Sequence, residues 1–178
     1  TGWPVERGEM LVRAEGGIEI VIGTQASGQG HETAYAQAVS DMLEVPFEAI
    51  RLKTGDTDFV RMGAGSHSSR SMRLAGHLFG LSADQIIEKG MKIAAHVLEA
   101  NAADIEYSGG AFRIVGTDRS LGLFDAAAAE NLPDDLAGPL AGSAEVTALI
   151  PAFPNGTHVV EVEVDVDTGV VRLARYTA

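Results

Sequence analysis

The sequence predicts an α+β fold in which a mixed β-sheet packs in two layers against helices. Three observations carry that expectation. Ile18-Glu19-Ile20-Val21-Ile22 opens with apolar–polar alternation and is rich in β-branched residues, as a strand is. From His31 the period changes, and Tyr35, Ala38, Val39, Met42 and Leu43 fall on one helical face. At the far end, Val159 to Val166 alternates valine with Glu161, Glu163 and Asp165. Asp167-Thr168-Gly169 then turns it into a partner strand, Val170 to Tyr176.

Between these landmarks the elements follow in order. The loop Gly23-Thr24-Gln25-Ala26-Ser27-Gly28-Gln29-Gly30 joins the first strand to the first helix, where Glu32 in the first turn suits the helix dipole. Pro46 ends that helix, Pro46 to Ile50 makes one further turn, and Ile50 to Lys53 is a short strand. Gly55-Asp56-Thr57-Asp58 supplies turn residues. The second loop, Gly63-Ala64-Gly65-Ser66-His67-Ser68-Ser69-Arg70-Ser71, leads into helical pattern from Met72 to Ala100. Gly76, Gly80 and Gly90 each cost about 1 kcal/mol against alanine there, which weighs against one long helix unless they permit close packing. Ile105-Glu106-Tyr107 and Phe112 to Val115 flank Ser108-Gly109-Gly110 as a hairpin. Leu121 to Glu130 reads as a short helix and Leu132 to Gly142 as a connecting loop. Val159 to Val166 reads as the cleanest half-buried strand.

The length of 178 residues suits one domain, residues 1–178. Thr1-Gly2-Trp3 is not a natural chain start, so the domain is read as an excised part of a longer subunit. A net charge of −12 repels phosphate backbones, which argues against a nucleic-acid partner. The absence of cysteine excludes disulfides, thiolate zinc sites, protein-ligated iron–sulfur clusters and a cysteine nucleophile. No apolar run approaches membrane-spanning length.

The two loops are where chemistry can sit, because each joins a strand-like region to a helix N-terminus. Free N–H groups and the helix dipole make such a junction receptive to phosphate. Gly28 and Gly30 let a ligand approach the backbone, Ser66, Ser68, Ser69 and Ser71 add hydroxyl donors, and Arg70 is placed to pair with a phosphate. From spacing alone a second reading stands equal: the loops merely turn the chain and cap helices. No Walker A, Rossmann or nucleophile-elbow motif occurs. The five histidines lack metal-ligand spacing; His77 and His96 lie in helical pattern, whereas His31 and His67 sit in the loops.

Taken in order, Gly28-Gln29-Gly30-His31-Glu32-Thr33, Gly55-Asp56-Thr57-Asp58 and the Gly63–Ser71 loop resemble the large subunit of the xanthine dehydrogenase family. The first stretch is most similar to its aerobic carbon-monoxide-dehydrogenase-like branch. Glu161 to Asp165 and Asp167 to Arg172 match that family's downstream strand pair, so the resemblance spans nearly the whole chain. It implies a hydroxylase carrying a molybdenum–pterin cofactor, often the cytosine dinucleotide in bacteria, with the metal held by the pterin dithiolene and by no protein side chain. It places Gln29 beside the oxo ligand and the cofactor among Gly28, Gln29, Gly30, His31, Ser66, His67, Ser68, Ser69, Arg70 and Ser71.

The resemblance further implies cytoplasmic location, a small-molecule substrate, and iron–sulfur and FAD subunits or domains as partners. Ser66 replaces the usual threonine, Ser68 a common glycine, and Arg61-Met62 the usual proline-containing approach. The family's catalytic glutamate falls beyond Ala178, so the 178 residues are expected to lack activity and cofactor when alone. Their newly exposed apolar surface is expected to drive self-association. The alternative is a free-standing module that binds a phosphorylated small molecule at the two helix N-termini.

Overall fold

The computed structural model describes residues 5–147, 153 and 155–178; the Thr1-Gly2-Trp3 start lies outside them. Its main sheet has four strands. They are β1 (Val5–Arg13), β2 (Gly17–Ile22), β3 (Ile50–Lys53) and β7 (Ala141–Thr147), in the order β3-β2-β1-β7. β2 and β3 run parallel and the other neighbours antiparallel, so the sheet is mixed, as the sequence predicts. β4 (Ile105–Ser108), β5 (Ala111–Ile114) and β6 (Ser120–Gly122) form a small antiparallel sheet, and β8 (Val159–Val164) pairs with β9 (Val171–Thr177). The helices are α1 (His31–Leu43), α2 (Ser71–Val97) and α3 (Leu123–Ala127).

The strands alternate, and their inward positions meet the helices. Met10 and Val12 of β1, Ile18, Ile20 and Ile22 of β2, and Ile50 of β3 are buried with Tyr35, Val39 and Leu43 of α1. Leu74, Leu78, Phe79, Ile86 and Ile93 of α2 complete the layer. Each such side chain contributes about 1.5–3 kcal/mol by leaving water. The outer sheet face is charged: Glu19 pairs with Arg13 at 2.8 Å and Lys53 at 3.0 Å, and Arg7 with Glu9 at 2.6 Å. The Arg13 guanidinium, then the Lys53 ammonium, hold the Glu19 carboxyl below its ordinary range.

Several expectations need correction. The connecting loop assigned to Leu132–Gly142 ends early, because Ala141 and Gly142 already pair with Leu11 and Met10 of β1. The helix assigned to Leu121–Glu130 is shorter, since Leu121 belongs to β6 opposite Phe112 and only Leu123–Ala127 is helical. α2 is one unbroken helix, and of its three suspect glycines only Gly90 packs closely, its Cα facing the Phe112 ring.

The strand at Val159 is not half-buried: every residue of β8 and β9 is exposed. A bulge between Glu161 and Val162 re-phases the pair, so that Val160/Tyr176, Val162/Leu173 and Val164/Val171 lie opposite one another as an apolar face. That face predicts self-association of the 178-residue chain, seen as a light-scattering mass that rises with concentration. Val162→Thr with Leu173→Thr should lower it. A monomer over a wide concentration range would contradict the prediction.

Candidate functional site

Parallel pairing decides where the two loops emerge. β2 and β3 are neighbours that point the same way, with Ile18 opposite Ile50 and Val21 opposite Lys53. The segments after both strands therefore leave the same end of the sheet, the end at which ligands collect in α/β folds. The loop 23–30 runs from β2 into α1, and the chain after β3 runs through Gly63–Arg70 into α2. Both helix N-termini meet at one cleft.

The cleft has a volume of about 420 Å³ and is lined by Gln29, His31, Ala34, Ser66, His67, Ser68, Ser69, Ser71 and Met72. It brings together most of the residues that the sequence singles out. Gly28 and Gly30 flank Gln29 with φ of 108° and 75°, left-handed values that cost glycine nothing. No side chain caps either helix. In α1 the Thr33 N–H turns back to the Gly30 carbonyl at 3.1 Å, while the N–H groups ahead of it and those opening α2 have no side-chain cap. Gln29 Oε1 accepts from the Ser27 N–H at 2.5 Å, which orients the amide, and Ser66 Oγ donates to the Gln25 carbonyl at 2.6 Å, tying one loop to the other.

His31 is buried at 4% exposure, where Nδ1 bonds the Thr24 carbonyl at 2.8 Å and the ring stacks on Tyr35 with centroids 4.6 Å apart. The Tyr35 hydroxyl meets Thr24 Oγ1 at 2.7 Å; burial chiefly pushes its pKa up, against the lowering effect of that hydrogen bond. His31 therefore holds the loop to its helix while it lines the cleft.

Arg70 is corrected as a phosphate partner. It is 3% exposed, and its guanidinium is committed to Glu6 Oε2 at 2.7 Å, the Gly65 carbonyl at 2.8 Å and the Val5 carbonyl at 2.9 Å. A cation so enclosed is satisfied from within. The residue that sequence reasoning missed is Glu6. It sits on β1 with no exposure, and besides Arg70 it accepts from Gly23 N at 3.1 Å and Ala64 N at 3.5 Å. Beside it the loops touch: a Cβ on Gly23 would lie 2.2 Å from Gly63 Cα. A glutamate at an inward position of a strand is the signal, and it carries meaning only once β1 is placed.

Ser68 and Ser69 have φ of 52° and 54°, which β-carbon sterics disfavour for two residues in succession. Ser68→Gly should relieve one of them and raise stability by about 1 kcal/mol in denaturant melts. A loss would show that the serine side chain, which bonds His67 Nδ1 at 3.1 Å, matters more than the backbone.

Among the described residues no three His, Asp or Glu side chains converge as a metal site. A larger hollow of about 470 Å³ on the outer sheet face contains none of the predicted residues, and its Arg13 and Lys53 are both paired with Glu19.

A sheet end with two helix starts that no side chain caps, together with hydroxyls and left-handed glycines, has the chemistry that suits an anionic ligand. The comparison with known proteins is then specific. The model of the molybdopterin cofactor-binding domain family matches residues 3–178, and the chain belongs to that family. It is 34% identical over 176 residues to the 6-hydroxypseudooxynicotine dehydrogenase complex subunit gamma of Paenarthrobacter nicotinovorans, covering 97% of this chain and 22% of that subunit. It is 33% identical to the carbon monoxide dehydrogenase large chain of Afipia carboxidovorans, covering 96% and 21%. The crystal structure of a Cu,Mo-CO dehydrogenase in its carbon monoxide reduced state superposes with a TM-score of 0.78 at 30% identity, over 96% of this chain and 22% of that one. The chain thus spans about a fifth of the length of these relatives. No helix among the described residues is long and apolar enough to cross a membrane.

Proposed function

We propose that this chain forms one wall of the molybdenum–pterin site of a molybdenum hydroxylase that oxidises a small molecule with water-derived oxygen. The observation that carries it is the single cleft into which the loops at 28–31 and 66–71 both open. The residues fit the group. The glycines at 28 and 30 leave the backbone accessible, the two helix starts offer N–H groups to a pyrophosphate, and the serines add donors. The metal arrives with its own dithiolene sulfurs, so no protein ligand cluster is required of this wall.

When bound, the cofactor supplies the redox chemistry, and the protein supplies placement and polarity. Gln29 is assigned to the neighbourhood of the metal's oxo ligand, with its amide turned by Ser27. Ser66, Ser68, Ser69 and Ser71 are assigned to the pterin and its phosphates, with the cytosine dinucleotide as the expected form. His67, which lines the same cleft, is assigned to the cofactor with them. Residues 1–178 are one domain of a longer cytoplasmic subunit that works with iron–sulfur and FAD partners. They bind and orient, and the 178 residues alone are inactive.

Alanine at Gln29, Ser66 and Ser71 together, made in the full-length subunit, is expected to lower retained pterin about tenfold, the loss of one or two charge-assisted hydrogen bonds. Retention equal to the parent protein would place the cofactor elsewhere.

A further inference from the structure

We propose that Glu6 is the positioning residue of the cofactor cleft: its buried carboxylate fixes the two cofactor loops relative to each other and to the sheet. The register of β1 places it there. Gly8 pairs with Ile22, so Glu6 lies further toward the end of the sheet from which both loops emerge. It occupies an inward position in line with Met10 and Val12, where an apolar residue is the ordinary choice.

Its partners come from three places in the chain. Gly23 begins the first loop, Ala64 lies at the start of the second, and Arg70 ends the second as the residue before α2. Arg70 also closes its own loop through the Gly65 carbonyl and reaches β1 again through the Val5 carbonyl. Both helix starts are thereby referred to one carboxylate. Arg70 neutralises it, so the negative charge does not face the phosphates of the ligand.

Stability does not account for this arrangement. A buried ion pair replaced by apolar residues of similar volume is commonly as stable or more stable, whereas removing one partner is strongly destabilising. What an apolar pair cannot do is accept the Gly23 and Ala64 N–H groups. The carboxylate thus couples loop geometry to the fold, and it acts through the loops without touching the cofactor.

The test uses the full-length subunit with its partner subunits and rests on the cleft being the molybdenum–pterin site. Glu6→Met with Arg70→Met removes the pair and keeps the volume. The variant leaves the Gly23 and Ala64 N–H groups without that acceptor, so the expected result is a lowered thermal midpoint with unchanged amide exchange in the β2 peptide 18–22. Peptides 23–31 and 63–71 should exchange about tenfold faster, with pterin content falling about tenfold. Unchanged exchange and pterin content would overturn the proposal. If the double variant does not fold, Glu6→Gln decides. It keeps the shape but sets an amide against Arg70, so faster exchange confined to the two loop peptides supports the positioning role, and unaltered exchange overturns it. A parent protein without pterin would defeat the proposed function, while the exchange measurement would still decide the role of Glu6.

Discussion

Alanine at Gly63 is expected to part the two loops and cost about 3 kcal/mol or more, at the upper end of overpacking penalties. Its Cβ would stand 2.4 Å from Gly23 Cα and 3.1 Å from the Gly23 carbonyl carbon, and neither is the yielding end of a side chain. The backbone must move, and it is the backbone that Glu6 grips on both sides, at Gly23 N and Ala64 N. Gly23→Ala meets the same obstacle from the other loop and also presses on Glu6 Oε1 at 2.8 Å. Urea melts of either variant, read with pterin content in the full-length subunit, check both consequences. Parent-like stability in both variants would mean that the loops are not held in contact.

The second large effect separates three glycines of one helix. At Gly90 an added Cβ would lie 2.1 Å from Phe112 Cζ, and Phe112 is fully buried where the small sheet meets α2. Gly90→Ala should therefore lower stability by about 1–3 kcal/mol, despite alanine's better helix propensity. At Gly76 and Gly80 the same carbon meets nothing within 4 Å. Each of those alanines should raise stability by about 1 kcal/mol. Denaturant midpoints of the three variants in the 178-residue chain measure the contrast, and a Gly90→Ala gain matching the other two would contradict the packing at Phe112.

These glycines mark the line between local and tertiary information in the sequence. Glycine in a helix is a local signal with two meanings, and only tertiary placement chooses between them. The loops were legible because their chemistry is local: glycines, hydroxyls and a change of period from two to three and a half or so mark a strand leading to a helix. β1 and β7 were not legible. The inward positions of β1 begin Glu6, Gly8, and β7 turns Gly142 inward against the Ser82 backbone, so neither displays an apolar alternation. With β1 unread, Glu6 had no context, and its partners lie 17, 58 and 64 residues away.

Arg70 followed from the same gap. A cation in a loop of serines reads as a phosphate partner until the buried carboxylate is known. The β8–β9 hairpin was legible in pattern and turn, but alternation reports that one face is apolar and cannot say what covers it.

The measurement that tests the central claim most directly is metal and pterin analysis of the full-length subunit purified with its partners. Molybdenum near one atom per subunit, together with a released pterin, is the predicted result. A subunit free of molybdenum and pterin, prepared under conditions in which a related enzyme loads both, would contradict it and leave the cleft as a site for some other phosphorylated small molecule.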